Sequence, residues 1–195
     1  MAILVTFVLL AGLGGWAVAS IPAPDDVSTF WIGNFSSPWA VLAFGAGWAQ
    51  RGRLWAVVTA VVAEIACVAG FYSRLLFLDP AHLGLSPATA PLESFSVGLS
   101  GWLVFVGPWM LLGVGAGVVY GLLGASWARS RTLLAAVTLG LPFLVEPLAW
   151  PIYVGFVKGP AIIWIAEVGV GATIIALAFR SRRSTSNASS PTAAR

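Results

Sequence analysis

Charged side chains are scarce in this sequence of 195 residues. Only 9% of the residues are Asp, Glu, Lys or Arg, whereas hydrophobic residues make up 59%. A soluble domain carries about 25% charged residues. With so few charges, the chain could not cover a water-facing surface and would expose large apolar patches. The composition excludes an ordinary soluble protein and predicts an integral membrane protein, with the lipid bilayer as its first partner.

Cysteine and histidine are almost absent as well. Cys67 is the single cysteine and His82 the single histidine. One cysteine excludes an intrachain disulfide, and a metal site built from several His or Cys ligands is excluded too. Because no phosphate-binding loop or nucleophile motif occurs either, we expect no metal and no cofactor. We attribute the net charge of +3 to orientation in the membrane rather than to nucleic-acid binding.

Long apolar runs predict an all-α, polytopic bundle of six transmembrane helices. A helix needs about 20 apolar residues to cross the hydrocarbon core. Residues 1–179 form this transmembrane domain, and residues 180–195, rich in Ser, Thr, Ala and Arg, form a disordered basic cytoplasmic tail. The predicted spans cover residues 3–21, 36–50, 54–72, 102–127, 133–157 and 160–179.

The basic residues predict the orientation of these spans, because Lys and Arg stay on the cytoplasmic side. Eight of the ten follow the second, fourth or sixth span, and only Arg74 and Lys158 fall on the other side. Both termini are therefore predicted to be cytoplasmic. Residues 17–19 read Ala-Val-Ala, like a signal-peptidase site, but no basic residue precedes the apolar stretch. Cleavage of the first span is the less favoured alternative.

Two segments of the chain share a motif, which predicts a duplicated helical hairpin. Residues 38–47 and 108–117 both read P-W-x-x-L-x-x-G-A-G. Each is followed by an Arg-x-Arg turn and then by a helix with one glutamate, Glu64 or Glu146. Parallel repeats of this kind occur in transporters. The alternative is a chance match, since Ala, Gly, Leu and Trp are common in this chain.

Three glutamates lie inside predicted spans: Glu64, Glu146 and Glu167. An ionisable group at the bilayer centre costs about 2.5–3.5 kcal/mol and faces the bundle interior or water. From the helical rise, we place all three roughly 10–16 Å below the outer surface, with no Lys or Arg inside any span. They predict an outward-facing site for a proton, a cation or a small cationic solute. The alternative is that protonated glutamates join helices through hydrogen bonds.

Proline and glycine mark two further features of the spans. Proline frees a backbone carbonyl one turn earlier, and broken helices beside polar groups occur at transporter sites, although a packed kink is the plainer alternative. Glycines four residues apart let helices pack closely. The kink residues of span five are Pro142, Pro147 and Pro151, and the packing residues of span four are Gly113, Gly117 and Gly121.

Several short motifs resemble a family of multi-pass actinobacterial membrane proteins of unknown function. They are Asn34-x-x-Ser37-x-Trp39, Ala43-Phe44-x-x-Gly47, Ala63-Glu64, Gly70-Phe71-Tyr72 and Phe143-x-x-Glu146. The likeness covers about three quarters of the chain. It implies a bacterial inner (plasma) membrane location and no reaction, and it implies that Glu64 and Glu146 are family positions.

Three functions stay open at this point. The first is a small transporter or solute-binding membrane subunit that uses the glutamates. The second is a non-catalytic structural or assembly partner for another membrane protein, in which the glutamates hold helices together. The third, a lipid-acting enzyme with a carboxylate pair as acid and base, is the least supported, because the chain lacks a nucleophile–base pair.

Overall fold

The structure, a computed structural model, describes residues 1–21, 36–78, 91–153 and 161–188. Throughout these ranges the regular elements are α-helices, so the all-α prediction is confirmed there. The six helices are α1 (Ala2–Val18), α2 (Ser36–Trp48), α3 (Arg53–Leu78), α4 (Pro91–Ser130), α5 (Leu133–Tyr153) and α6 (Ala161–Ala188).

Three stretches of helix are long and apolar enough to cross a membrane: Arg53–Arg74, Val106–Ser130 and Ile163–Arg180. They support a membrane-embedded protein, as the composition predicts. Ala2–Val18 and Leu133–Ala149 are apolar but shorter. Helix α2 has 13 residues and is about 20 Å long, against a hydrocarbon core of about 30 Å. The number of six spans therefore stays a prediction.

Three helices extend beyond the predicted bounds. Helix α3 ends at Leu78, whereas the predicted span ends at Tyr72. Helix α4 begins at Pro91, whereas the apolar run begins at Trp102. Helix α6 continues to Ala188, so the first half of the predicted disordered tail is helical, and residues 189–195 lie outside the described residues. Hydropathy locates the apolar part of a helix but not its ends, because an existing helix gains one hydrogen bond for each residue added.

The chain divides into two compact units, Met1–Ala125 and Ser126–Arg195. In the first unit, α1 and α2 both pack on α3. Helix α4 contacts the same helix, since a Cβ atom at Gly117 would lie 2.6 Å from the Val61 Cα. The second unit contains the α5–α6 hairpin. Each unit therefore has helix pairs that bury its glutamates.

Side-chain hydrogen bonds establish the helix directions in the first unit. Arg74 Nε donates to Ser20 Oγ at 2.7 Å, which places the ends of α1 and α3 side by side. Gln50 Nε2 donates to Thr59 Oγ1 at 2.9 Å, which places the end of α2 beside the first part of α3. Helices α1 and α3 therefore run in the same direction, and α2 runs in the opposite direction.

Glycine contacts give the direction of α4. Gly113 lies against Glu64, whereas Gly121 lies against Ala60, one turn earlier on α3. The two helices are therefore antiparallel. The first four helices alternate in direction, as they would in a chain that crosses a membrane repeatedly.

Small residues form the contact between the helices of the first unit. Ala43, Ala46 and Ala60 are fully buried in one cluster. A Cβ atom at Gly124 would overlap the carbonyl oxygen of Phe44, and one at Gly47 would overlap the carbonyl oxygen of Gly121. Helix backbones thus touch directly, which is how small residues stabilise helix pairs in membranes.

The two copies of the repeated motif occupy different places in their helices. Pro38 lies in the first turn of α2, where proline is tolerated. Pro108 lies inside the 40-residue helix α4. The duplicated hairpin is therefore not confirmed.

Candidate intramembrane carboxyl site

Glu64 lies close to the middle of the apolar stretch Arg53–Arg74 of α3 and is only 1% exposed. Its carboxyl group makes a hydrogen bond with the backbone of Ala43 on α2. On the other side, a Cβ atom at Gly113 of α4 would lie 3.4 Å from the Glu64 Cβ. Three helices therefore enclose this side chain.

One oxygen of the Glu64 carboxyl group has no protein partner. Oε1 is buried and has no hydrogen-bond partner among the described residues. A buried carboxyl group that is half satisfied is costly unless it takes up a proton or a cation. The position therefore suits a group that binds one of these.

Glu146 and Glu167 lie in the second unit and are 7% and 8% exposed. A Cβ atom at Gly171 of α6 would lie 2.8 Å from the Phe143 Cβ of α5, and one at Gly140 would lie 2.8 Å from Cγ1 of Ile175. Phe143 thus pairs with Gly171, and Gly140, one turn earlier on α5, pairs with Ile175, one turn later on α6. The two helices are therefore antiparallel.

This register brings the two glutamates to the same level of the hairpin. Glu146 follows Phe143 by three residues, and Glu167 precedes Gly171 by four, so each is one helical turn from a contact residue on its own helix. Because the helices are antiparallel, the step from Phe143 forward to Glu146 and the step from Gly171 back to Glu167 point in the same direction along the hairpin. Both buried glutamates therefore lie on the facing surfaces of α5 and α6.

Pro147 leaves one backbone carbonyl oxygen of α5 without its helical hydrogen bond, near the two glutamates. Helix α5 is continuous from Leu133 to Tyr153 through its three prolines, and the predicted kink stays a prediction. Pro147 has no N–H group, and the Phe143 carbonyl oxygen receives no intrahelical hydrogen bond from that position. The α5–α6 level thus holds two carboxyl groups and a carbonyl group, which are oxygen ligands that hard cations prefer. Pro142 and Pro151 lie about a turn away on either side.

The described arginines lie at the ends of the long apolar stretches rather than beside the glutamates. Arg53 and Arg74 bound the stretch that contains Glu64, and Arg180 ends the stretch that contains Glu167. The basic residues of these two stretches therefore lie at a different depth from Glu64 and Glu167. A shared layer of all three glutamates, across both units, stays a prediction.

The glycines of α4 face α3. A Cβ atom at Gly121 would lie 2.8 Å from the Ala60 Cβ, and Gly113 and Gly117 also contact α3. Sequence reasoning missed equally close contacts at Gly47 and Gly124, which join α2 to α4. Gly47 has no glycine four residues away to mark it, so its contact depends on its partner helix.

Sequence reasoning also missed an apolar cleft of about 200 Å³ in the first unit. It is lined by residues of α1 and α2 and by Cys67 of α3. No run of residues marks it, because three helices contribute. Its lining includes Leu10, Gly14, Trp39 and Leu42.

Other candidate ligands do not converge in the part of the chain that the structure describes. No group of three or more His, Cys, Asp or Glu residues there could hold a metal ion. Asp79 and His82, which lie between α3 and α4 in the sequence, are outside the described residues.

Comparisons of the chain with protein-family models, curated protein sequences and solved structures find no match. The resemblance to an actinobacterial family stays a prediction. We therefore infer the function from the residues and their geometry.

Proposed function

We propose that this chain is a multi-pass protein of a bacterial plasma membrane that binds a proton or a small cationic solute at its intramembrane carboxyl groups. It would act as a small transporter or as the binding subunit of one. The observation that carries this proposal is the burial of Glu64, Glu146 and Glu167, which are 1%, 7% and 8% exposed on apolar helices.

Burial of this kind has a charge requirement. An ionised carboxylate in hydrocarbon is unstable without a counter-charge, and ionisable residues inside membrane spans usually belong to ion or proton pathways. Glu146 and Glu167 are buried at the same level of the α5–α6 hairpin, so a negative charge on one raises the cost of a negative charge on the other unless a cation is bound. A proton or a cation at Glu64, and another at the level of Glu146 and Glu167, would compensate the buried negative charge.

The six-span topology belongs to the same proposal. The alternating directions of α1 to α4 and the antiparallel α5–α6 hairpin support it, as does the placement of the Arg-x-Arg turns. Both termini would be cytoplasmic. The carboxyl groups would then lie within the hydrocarbon region, where an aqueous pathway must reach them.

Thermal stability of the purified full chain tests the proposal. We would measure it with a panel of alkali cations and organic amines, from about pH 5 to pH 9, for the native chain and for Glu64→Gln, Glu146→Gln and Glu167→Gln. We expect a cation to stabilise the native chain and at least one variant to lose that stabilisation. If no condition shifts stability and the variants behave like the native chain, the binding proposal fails.

A structural or assembly partner is the second candidate, and two observations favour it. The hydrogen bond between Glu64 and the Ala43 backbone joins α3 to α2, and backbone contacts at Gly124 join α4 to α2. Under this alternative, Glu64→Gln keeps the hydrogen bond and the stability, and no cation has an effect. The same experiment therefore separates the two functions.

A further inference from the structure

The apolar cleft of the first unit lies beside two helices that share a neighbour. Helices α1 and α2 both pack on α3 but make few contacts with each other. Along α1, the lining residues extend from Leu10 to Val18, which is about 12 Å of helix. The other lining residues belong to the first two turns of α2 and to α3, which contributes Cys67. The cleft therefore suits an elongated apolar group.

The lining of the cleft includes both exposed and buried residues. Leu10 is 63% exposed, and Gly14 and Pro38 are exposed as well. Ala11 and Gly15 are buried. Helix α1 carries no charged residue, and a helix that is apolar all round belongs in a protein core or in a membrane. In the proposed membrane protein the exposed side of the cleft would meet lipid tails, so a ligand that enters there must be lipophilic.

The inner end of the cleft, lined by Leu42 and Cys67, lies near Glu64. Cys67 follows Glu64 by one turn of α3, and the two side chains interact electrostatically. On α2, Leu42 precedes Ala43, whose backbone forms a hydrogen bond with the Glu64 carboxyl group. Because α2 and α3 are antiparallel, both residues lie on the same side of Glu64, toward the end of α3. The inner end is therefore about one helical turn, or 5 Å along the axis, from the level of Glu64.

Glu64 supplies a negative charge that the lining itself lacks. Its Oε1 atom is buried and has no hydrogen-bond partner among the described residues. A cation at the inner end of the cleft would be attracted to this carboxylate, since charges interact strongly over such a distance in an apolar medium. Trp39 adds an aromatic ring to the lining, and aromatic rings attract organic cations.

We infer that the solute of the Glu64 site is a lipophilic amine, whose hydrocarbon part lies in the apolar cleft and whose ammonium group lies at the inner end. This inference rests on the proposed function, because it names the class of cation that Glu64 binds. An anionic amphiphile with its headgroup at Arg74 is the less favoured occupant. Arg74 Nε already donates to Ser20 Oγ, whereas the Glu64 carboxyl group has an oxygen without a partner among the described residues.

Competition binding to the full chain tests the inference. Radiolabelled octylammonium is the probe, in nanodiscs of phosphatidylcholine, a lipid without net charge, and empty nanodiscs give its partition into lipid. The competitors are methylammonium, butylammonium, octylammonium, octanol and octyl sulfate. Glu64→Gln removes the charge. Gly14→Phe places a ring at the cleft, at a position where a Cβ atom meets nothing within 4 Å. The matched control is Gly45→Phe, on α2 outside the lining, where a Cβ atom also meets nothing.

We expect saturable binding to the native chain. Competition should strengthen from methylammonium to octylammonium, because each buried methylene adds to the affinity, and octanol should compete about threefold or more weakly than octylammonium. Glu64→Gln should lower the affinity for octylammonium to that for octanol. Gly14→Phe should lower it by about threefold or more, because the ring occupies the volume that the alkyl chain needs, and Gly45→Phe should bind like the native chain. Leu10→Trp, at an exposed position, replaces Gly14→Phe if that variant unfolds.

Several results would overturn the inference. Equal competition by methylammonium and octylammonium would do so while leaving the proposed function in place, because a small cation would then bind without the cleft. Octylammonium that binds no better than octanol, or that binds Glu64→Gln or the folded cleft variant as well as the native chain, would exclude a joint site. Stronger competition by octyl sulfate would assign the cleft to an anionic amphiphile. The absence of saturable binding would overturn the lipophilic amine, whereas the proposed function fails only if alkali cations, small amines and pH also leave stability unchanged.

Discussion

At the scale of single residues, glycine decides how closely the helices of the first unit can pack. Gly124 allows α4 to touch the backbone of α2 at Phe44, whereas Gly115, on the same helix, has nothing within 4 Å of a would-be Cβ. The two positions look alike in the sequence. Their difference follows from which face of α4 meets a neighbour.

We predict that Gly124→Ala destabilises the chain, because its methyl group would overlap the Phe44 carbonyl oxygen. Forcing a methyl group into a packed contact costs about 1–3 kcal/mol. Thermal unfolding in detergent would measure the loss. Gly115→Ala is the control and should leave stability unchanged or slightly higher, since alanine favours helix. Equal stability of the two variants would contradict the α2–α4 contact.

At the scale of elements, α5 combines three prolines with a continuous helix from Leu133 to Tyr153. The kink that the prolines predict stays a prediction. Membrane helices accept proline because neighbouring groups satisfy the freed carbonyls. Around Pro147 the candidate neighbours are the carboxyl groups of Glu146 and Glu167.

We predict that Pro147→Ala weakens the effect of a stabilising cation without lowering basal stability. Alanine restores an N–H group that hydrogen-bonds the Phe143 carbonyl oxygen, and this removes one oxygen from the α5–α6 level. The measurement is the cation-induced shift in the thermal midpoint. Pro142→Ala is the control, because it acts on the carbonyl of Thr138, further from the glutamates. An unchanged shift in Pro147→Ala would exclude the carbonyl as a ligand.

The sequence predicts the helical class, the apolar stretches and the buried glutamates, because each of these depends on composition or on one position. It also predicts glycine packing at Gly121, where a regular spacing marks one face. The helical rise also predicts a similar depth for Glu146 and Glu167. It does not predict that the two side chains lie on the facing surfaces of α5 and α6, since that depends on how the two helices pack. The end of α6 at Ala188 and the cleft beside Cys67 depend on helix propagation and on three-helix packing.

At the scale of the whole molecule, direction and charge agree. Helices α1 and α3 run together while α2 and α4 run the other way, and the Arg-x-Arg turns fall where α2 and α4 end. Helices that alternate in direction place the turns after α2 and α4 on the same side of the membrane. Arginines at both turns are what the positive-inside rule requires of a cytoplasmic side.

We predict that the two Arg-x-Arg turns face the cytoplasm. Gly52→Cys, Ser130→Cys and Leu99→Cys would each be made in a Cys67→Ala chain and exposed to a membrane-impermeant maleimide in spheroplasts. Leu99→Cys should be labelled from outside, and the other two should be labelled only after the membrane is opened. Labelling of Gly52→Cys from outside would contradict the six-span topology.

Reversible protonation of the buried glutamates is the most direct test of the carboxyl site. Infrared difference spectra of the purified full chain would compare about pH 5 with pH 9, and absence with presence of the cations in the panel. We predict a band of protonated carboxyl groups that disappears as the pH rises or a cation binds, and that is reduced in Glu64→Gln, Glu146→Gln or Glu167→Gln. A band that is the same under all conditions, or that none of these variants reduces, would show that the glutamates exchange neither protons nor cations.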